Sequence, residues 1–392
     1  MLRSRMFSHL SSPLLLVILT LLGVGLVQVY SSSYVFATES YGDGLYFFKR
    51  QFAFVIFGFL VLLASAQLPL HWVEKWGWTV WIMASVGILA TFIPGLGVRV
   101  GGAIRWLQLP MGLRFEPSEV LKLSFSLFFA TLLARESTVL ARIKWPWLVL
   151  MFIAPLILLL RQPDFGSFAI IICVGVGLLF AFGLKWRFII SALAVIIPAF
   201  YFLVMKVEYR KARVLAFLDP WSDPEQKGFQ VIQSMLSFHS GGLTGAGLGQ
   251  GQGKLFFLPE AHTDFTMAVL GEEIGFVGFL VVMSLYGFIV LRGLQIAIRL
   301  ENQFHKALAL GISMTFALSV FINAGVVMGL LPTKGLTLPF LSYGGSSLVV
   351  LCFMFGLLLN IEKHASEENE FVSGRRRQSP FLQRQTKLSS VK

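Results

Sequence analysis

The chain has 392 residues, of which 56% are hydrophobic and 13% are charged, and its mean hydropathy is +0.76. This composition excludes an ordinary soluble domain, in which charged residues make up about a quarter of the chain. The formal net charge of +12 needs no nucleic acid to explain it, because much of it lies in short segments beside apolar runs, where membrane topology accounts for it.

The apolar residues are concentrated in about ten runs, most of them near the roughly 20 residues that a helix needs to cross a hydrocarbon core. In chain order the runs are Ser12–Ser32, Gln51–Gln67, Trp76–Ile93, Ser118–Ala134, Trp145–Leu160, Gly166–Leu184, Phe188–Met205, Phe265–Leu291, Lys306–Leu331 and Thr337–Asn360. The first run follows Arg3 and Arg5 as in a signal peptide, but it is too long and lacks a cleavage site, so we expect a retained anchor. Cys173 and Cys352 both lie inside runs, so no disulfide framework is indicated. The sequence predicts an all-α polytopic membrane protein.

More than half of the 32 Lys and Arg residues fall on one side of this arrangement, in the N-terminus, short loops and an Arg-rich tail. The positive-inside rule assigns that side to the cytoplasm, so both termini are predicted to be cytoplasmic. Residues 1–11 then form a cytoplasmic N-terminus and residues 12–361 the membrane domain. Residues 362–392 form a basic tail that is predicted to be disordered or to lie against lipid.

The other basic residues lie on or near the outer side, several of them in Gly- or Pro-rich turns at helix mouths. Cations that converge there suit an anionic, membrane-borne ligand such as a lipid pyrophosphate, although long loops also cross membranes regardless of charge. The group includes Arg99, Arg105, Arg114, Lys122, Arg161, Lys206, Arg210, Lys211, Arg213, Lys227, Lys254 and Lys334.

One long segment, residues 207–264, separates the seventh and eighth runs and is predicted to be an extracytoplasmic loop. Some of its apolar residues are spaced as if to pack on another element, and they are Phe229, Ile232, Met235 and Phe238. Its Gly-rich stretch, residues 241–254, differs from a phosphate-binding loop because Leu255 stands where such a loop needs Ser or Thr. A flexible turn that returns the chain to the membrane is the better interpretation.

Several carboxylates lie at the start of the eighth run, in a chain with few charges: Glu260, Asp264, Glu272 and Glu273. Carboxylates at the lip of a membrane helix are costly unless they have a function. Asp at a helix start is usually a cap or a partner of the helix dipole, and position alone favours that interpretation for Asp264. Glu272 and Glu273 lie about two turns deeper, at other angles around the helix, and we expect them to make polar contacts with neighbouring helices.

Three further residues have both a structural and a functional interpretation. Glu119 and Lys122 are three apart on one helix face, which predicts an ion pair facing the interior, with a role in a cavity as the alternative. Trp106 is expected to be an interfacial anchor, with packing against sugar or lipid as the alternative. A zinc site is not indicated, because no familiar ligand spacing joins His239, Glu260, His262 and Asp264.

Long motifs along nearly the whole chain resemble, in the same order, the SEDS family of FtsW, RodA and SpoVE proteins. They are residues 102–106, 117–122, 162–166, 227–234, 258–265, 271–275, 331–339 and 342–347. The stretch LPTKGLTLP at 331–339 resembles the division branch of that family. Glu116 departs from the pattern, because the family commonly has Gln at this place, and it adds a carboxylate.

This resemblance implies a peptidoglycan glycosyltransferase of the bacterial cytoplasmic membrane, acting during division. Such enzymes polymerise lipid II, a disaccharide-pentapeptide on undecaprenyl pyrophosphate, at the outer face. The acceptor hydroxyl attacks the anomeric carbon and lipid pyrophosphate leaves, which requires a base and positive charge. Asp264 matches the family's essential Asp and is the predicted base. Arg105 and Lys334, with Arg213 as a third candidate, are predicted to neutralise the leaving group.

Further substrate contacts are expected in or beside the matching motifs, from Trp106, Glu119, Lys122, His262 and Ser342. A loosely held Mg²⁺ that bridges a carboxylate and the pyrophosphate would fit this chemistry. The resemblance also implies complexes with a class B penicillin-binding transpeptidase and other division proteins, within the membrane lipids. Two alternatives remain: a transporter that flips lipid II, for which the sequence shows no clear inverted repeat, and a division scaffold that only docks partners.

Overall fold

The computed structural model describes residues 12–100, 103–134, 144–191, 194, 198, 201, 206, 217–225, 228–332 and 335–365. The longer helices among them are α1 Pro13–Tyr41, α2 Tyr46–Ser65, α3 Leu70–Ala90, α4 Pro117–Leu133, α5 Trp145–Arg161, α6 Phe165–Ala181, α7 Phe229–Gly241, α8 Thr266–Arg299, α9 Gln303–Val327 and α10 Gly345–Ala365. Residues 186–191 are also helical.

Five of these helices, α1, α2, α8, α9 and α10, are long and apolar enough to cross a membrane, and α5 and α6 are apolar but shorter. The backbone N–H and C=O groups of a helix form hydrogen bonds with each other, whereas hydrocarbon offers them no partner. The predicted fold class, a polytopic helical membrane protein, is therefore confirmed. Every predicted run coincides with a helix except the seventh, Phe188–Met205, which falls largely outside the described residues.

A three-stranded antiparallel sheet, which the sequence analysis did not predict, lies between α3 and α4. Its strands are β1 Gly97–Val100, β2 Ala103–Gln108 and β3 Arg114–Phe115, in the order β1-β2-β3. Strands this short show little hydrophobic alternation, so the pattern that identifies a strand is weak. The register places Trp106 opposite Val98.

Aromatic packing joins α3, α4 and α5. The fully buried Trp81 stacks on Phe128, with ring centroids 5.5 Å apart, and lies 5.7 Å from the ring of Phe125. Its indole N–H donates to the carbonyl oxygen of Met151 at 2.8 Å, which satisfies a donor that would be costly to bury alone. This packing fixes α4, the helix that begins directly after the sheet.

The helix α8 is broken at Gly275, where φ is 68° and ψ is −172°. Residues with a Cβ rarely adopt this conformation, and a Cβ here would also collide with the backbone of Gly245. The break leaves carbonyl groups before it and amides after it without helical partners, and unpaired backbone groups are costly in a membrane.

The Gly-rich segment that precedes α8 supplies the missing partners through four backbone hydrogen bonds of 2.9 to 3.1 Å. The donor and acceptor pairs are Ala246 N to Glu272 O, Gly247 N to Glu273 O, Phe276 N to Gly242 O, and Val277 N to Leu243 O. The prediction that this segment is a flexible turn is therefore wrong. It completes the broken helix.

The predicted loop 207–264 contains the helix α7, and the expectation that its apolar residues pack on another element agrees with the structure, because the rings of Phe238 in α7 and Phe279 in α8 lie 5.5 Å apart. One further prediction needs correction. The tenth predicted run begins too early, because α10 starts at Gly345. Residues 335–344 before it include Pro339, which has no amide to donate, and they form a loop beside the start of α8.

The two ends of the membrane domain meet. The hydroxyl of Ser12 donates to Oε2 of Glu362 at 2.8 Å, and Arg292 near the end of α8 donates to Oε1 of the same carboxylate at 2.9 and 2.6 Å. The beginning of α1 and the end of α10 therefore lie at the same end of the described helices.

Candidate active site

Asp264 lies one residue before the N-cap of α8, which is Phe265 and has no side-chain capping bond. Asp264 therefore lies directly beside the start of the helix, where its carboxylate can still interact with the positive end of the helix dipole, so its roles as dipole partner and as base both stay predictions. The backbone carbonyl of Asp264 accepts a hydrogen bond of 3.0 Å from Nδ2 of Asn323 in α9, and the same amide group donates to the carbonyl of Leu336 at 2.6 Å. Asn323 thus ties the start of α8 to the loop beside it.

Arg105 reaches the same place from β2. Its Nη2 donates to the carbonyl oxygen of Pro163 at 2.6 Å. A Cβ built on Gly335 would lie 3.3 Å from Nη1 of Arg105 and 3.3 Å from Oδ2 of Asp264. The guanidinium and the carboxylate therefore both lie beside Gly335, where a side chain would contact them. The structure brings these two predicted residues together.

Glu119 and Lys122 form the ion pair predicted from their spacing, with 2.8 Å between Lys122 Nζ and Glu119 Oε1. The pair lines a cavity of about 30 Å³, together with polar residues of α9, α10 and the loop before α10: Thr315, Ser319, Thr337 and Ser347. Such a volume holds about one water molecule. Because Thr337 is two residues from Gly335, the cavity adjoins the Arg105 and Asp264 site.

Glu116, the residue that departs from the family pattern, lies directly before α4. Its Oε1 accepts a hydrogen bond of 3.1 Å from the hydroxyl of Ser118. Burial first, and then the charges of Glu119 and Asp164, raise the pKa of the Glu116 carboxyl to about 8. At neutral pH this carboxyl is mainly protonated, so a bound proton cancels most of the charge that it would add relative to Gln.

Asp164 was not predicted as a site residue. It is 2% exposed, and its Oδ1 caps α6 by accepting from the amide of Ser167 at 3.1 Å. Its Oδ2 and the Nε of Arg105 are both buried without a hydrogen-bond partner among the described residues. Because Arg105 binds the carbonyl of Pro163, directly before Asp164, these groups lie in one part of the site. The family motif at 162–166 was the available signal.

His262 is packed among aromatic rings. It stacks on Phe36 with centroids 5.4 Å apart, and it lies 4.7 Å from Phe47 and 6.2 Å from Tyr343. Burial lowers the pKa of His262, against the opposing charge of Glu260, so the ring is neutral at pH 7. These contacts give His262 a structural role in the turn before Asp264, and its contact with substrate stays a prediction.

Ser342 and its neighbour hold the same turn. The hydroxyl of Ser342 donates to the carbonyl of Thr263 and accepts from the amide of Leu338, while the amide of Tyr343 donates to the carbonyl of His262 at 2.9 Å. The two residues before Asp264 are therefore bonded to the loop before α10. The predicted contact of Ser342 with substrate stays a prediction.

Glu272 and Glu273 have structural partners, but these come mainly from the Gly-rich segment rather than from neighbouring helices. The carboxylate of Glu272 accepts from the amides of Gln252 and Gly253, at 2.7 and 3.1 Å. Glu273 forms an ion pair of 2.7 Å with the buried Lys254. Lys254 is one of the cations predicted to lie on or near the outer side, and the structure shows that its charge is paired inside the protein.

The structure does not test the predicted roles of the remaining residues. Lys334 and Arg213 lie outside the described residues, so their roles stay predictions. Trp106 is half-buried on β2 and follows Arg105, at a place where the pairing of β1 and β2 is irregular, and its contact with sugar or lipid stays a prediction. In the part of the chain that the structure describes, no group of three or more His, Cys, Asp or Glu residues could hold a metal ion. The predicted Mg²⁺, which would bridge one carboxylate and the pyrophosphate, does not need such a group, and it stays a prediction.

Known proteins share this architecture over most of the chain. Residues 12–367 match the family of FtsW, RodA and SpoVE, described as cell cycle proteins. A probable peptidoglycan glycosyltransferase FtsW of Geobacter metallireducens is 42% identical over 354 residues, which cover 89% of this chain and 93% of the relative. A protein of the same description from Thioalkalivibrio sulfidiphilus is 41% identical over 382 residues, which cover 95% of this chain and 94% of the relative.

Two solved structures resemble the fold. A chain from a peptidoglycan synthase complex, studied for the coordination of polymerization and crosslinking, has a TM-score of 0.72 and 27% identity, with 90% of this chain and 97% of that chain covered. The rod shape determining protein RodA of Thermus thermophilus has a TM-score of 0.64 at 24% identity, with 89% and 95% covered, and it supports the fold alone. Together with the match over residues 12–367, these relatives establish that the chain belongs to the FtsW, RodA and SpoVE family.

Proposed function

We propose that this chain is a peptidoglycan glycosyltransferase that polymerises lipid II at the outer face of the bacterial cytoplasmic membrane during cell division. The observation that carries the proposal is the position of Asp264 and Arg105, which both lie beside Gly335. A carboxylate that can act as a base and a guanidinium that keeps its positive charge lie near each other there. Relatives described as probable peptidoglycan glycosyltransferases FtsW support both the reaction and the division role.

The reaction assigns a different task to each charge. A hydroxyl of the acceptor sugar attacks the anomeric carbon of the donor, and the bond from that carbon to the lipid pyrophosphate breaks with inversion. The carboxylate of Asp264 accepts the hydroxyl proton. The guanidinium of Arg105 stabilises the negative charge that develops on the departing pyrophosphate, and Lys334 adds a second positive charge. Asn323 and Ser342, which hold the backbone at Asp264, keep the base in position for attack.

The ion pair of Glu119 and Lys122 supports this site from within the membrane domain. Because the two charges are paired at 2.8 Å, they bring polar groups to the cavity without a net charge. A water molecule in the cavity would extend the hydrogen bonds of Thr315 and Thr337 toward the substrate sugars. Trp106 would lie at the membrane interface beside them.

The proposed setting is a division complex. The similarity to a chain of a peptidoglycan synthase complex supports a class B penicillin-binding transpeptidase as the partner. The contact between Ser12 and Glu362 supports a common side for both termini, which the basic tail assigns to the cytoplasm.

The test is polymerisation in liposomes that contain the purified protein, its cognate transpeptidase and labelled lipid II exposed on the outer side. Asp264→Asn keeps the size of the side chain but removes the base, so polymer formation should fall about 100-fold or more. Asp43→Asn, which breaks an exposed ion pair with Lys49, is the matched control and should keep the wild-type rate.

Two results would contradict the proposal. Wild-type polymerisation by Asp264→Asn would exclude Asp264 as the base. Movement of lipid II across the bilayer without any polymer would exclude the glycosyltransferase and favour a transporter.

A further inference from the structure

Lys254 and Glu273 form the most deeply buried ion pair among the described residues, with side-chain exposures of 7% and 0%. Lys254 Nζ also donates to the hydroxyl of Ser31 in α1 at 2.9 Å, and this hydroxyl donates to the same Glu273 oxygen. The other oxygen of Glu273 has no hydrogen-bond partner in the described structure. Burying two ions costs about several kcal/mol each, so such a pair is a poor device for stability alone.

The pair closes a segment of chain that has Asp264 at its middle. Lys254 comes ten residues before Asp264, and Glu273 comes nine residues after it. Glu272 closes the same segment a second time, because its carboxylate accepts from the amides of Gln252 and Gly253. The base of the reaction therefore lies on a loop whose two ends are held together by charged groups.

The break at Gly275 makes these contacts important for Asp264. It separates residues 266–274 from the remainder of α8, and a helix of about two turns has little stability of its own. The partners of the preceding turn, Asn323 and Ser342, bind backbone carbonyls of residues 263 and 264. The side-chain bonds of Glu272 and Glu273 hold the other end of this short half-helix.

We propose that Lys254, Glu273 and Ser31 form a clasp that positions the short half of α8, and through it the carboxylate of Asp264, relative to Arg105. Lys254 and Glu273 are positioning residues, because their contacts are with each other and with α1. The proposal rests on the role of Asp264 as the base in the proposed function. When the clasp is released, the surfaces that bind lipid II remain, so kcat falls while KM stays nearly constant.

The experiment compares two single variants with the double variant in the liposome assay. Lys254→Met leaves Glu273 buried without its partner, and kcat should fall about 10- to 100-fold with little change in KM. Glu273→Gln should lower kcat less. The double variant Lys254→Met/Glu273→Gln removes both charges, and because the two effects are coupled, kcat should recover by about tenfold relative to Lys254→Met.

Lys49→Met is the matched control, since it also removes a lysine from an ion pair of 2.8 Å, but at an exposed place. It should keep the wild-type kcat. Hydrogen exchange measures how firmly the segment around Asp264 is held. The amides of residues 258–270 should exchange faster in Lys254→Met than in the wild type, while those of α9 keep their rate. Lys49→Met should leave both regions unchanged.

The outcomes distinguish the clasp from the proposed function. A wild-type kcat in Lys254→Met overturns the clasp. The clasp is also overturned if all three variants change kcat, KM and thermal stability to the same extent and exchange faster throughout the protein. That result would identify a purely structural pair. If Asp264→Asn is inactive in the same assay while Lys254→Met is normal, the clasp alone fails. If Asp264→Asn is active, the proposed function fails.

Discussion

Gly335 lies beside the two opposite charges of the site, Arg105 and Asp264. Arg105 and Asp264 belong to distant parts of the chain, and hydropathy does not show that they meet. Asp264 is predicted to be the base because of its motif, whereas its position alone indicates that it caps the helix. Asn323 was missed, although an amide inside an apolar run is a signal of function. Long-range contacts of this kind depend on packing between helices, which one sequence does not display.

A methyl group at Gly335 should therefore affect catalysis more than folding. In Gly335→Ala the Cβ would lie 3.3 Å from both Arg105 Nη1 and Asp264 Oδ2, a contact that moves one of them by a few tenths of an ångström. We expect kcat to fall about tenfold with little change in thermal stability. Gly287→Ala in α8, where nothing lies within 4 Å, is the control, and full activity of Gly335→Ala would contradict the geometry.

Glu116 should make stability depend on pH. Its pKa of about 8 in the folded protein exceeds the ordinary value of 4.5, so between these values the folded state binds a proton more tightly than the unfolded state. This contribution is complete below pH 4.5 and is lost as the pH rises toward about 8. Gln at this place binds no proton.

We therefore expect the melting temperature of Glu116→Gln, relative to the wild type, to increase from pH 5 to pH 8. Thermal unfolding in detergent, followed by tryptophan fluorescence, measures this difference. Asp43→Asn is the control, because the pKa of the exposed Asp43 lies below its ordinary value. The difference in melting temperature between Asp43→Asn and the wild type should therefore be constant from pH 5 to pH 8. A flat difference for Glu116→Gln would show that its carboxyl is ionised at neutral pH.

At the scale of elements, hydropathy predicts where helices lie better than how they continue. The eighth run was predicted as one span, Phe265–Leu291, because a glycine inside an apolar run carries no distinct signal. The break at Gly275 depends on partners from the Gly-rich segment, which the sequence analysis interpreted as a flexible turn. The strands β1 to β3 were missed for the related reason that short elements have no period to detect.

Gly275→Ala should destabilise the fold. A residue with a Cβ in this conformation costs about 1–3 kcal/mol, and the collision with the backbone of Gly245 adds to that cost. Gly287→Ala lies in the same helix after the break and should be neutral or stabilise by up to about 1 kcal/mol. Thermal unfolding of both variants measures the difference, and equal melting temperatures would show that the break has no strict need for glycine.

At the scale of the whole molecule, Glu362 joins three helices at one end of the membrane domain. The even number of predicted runs implied that both ends share a side, and the contact of Ser12 with Glu362 agrees with it. The specific partner, Arg292, was not predictable, because charge counts assign loops to sides of the membrane but do not pair individual residues.

Glu362→Gln should lower stability by about 1–3 kcal/mol, because it weakens charge-assisted bonds of a partly buried guanidinium. Asp43→Asn removes an exposed pair of similar length, and because water screens that pair, its loss should be smaller. Chemical unfolding in mixed micelles compares the two, and equal losses would contradict a special role for the contact at the ends of the domain.

The broken helix also has a consequence for the order in which a growing chain matures. The segment 242–247 and Lys254 are synthesised before the residues of α8 that they bind, so the break can be satisfied as soon as α8 emerges from the ribosome. The partners of the turn at Asp264 are Asn323 and Ser342, which emerge about 60 to 80 residues later. A nascent chain therefore passes through a stage in which α8 has emerged but the turn at Asp264 is not yet held by its later partners.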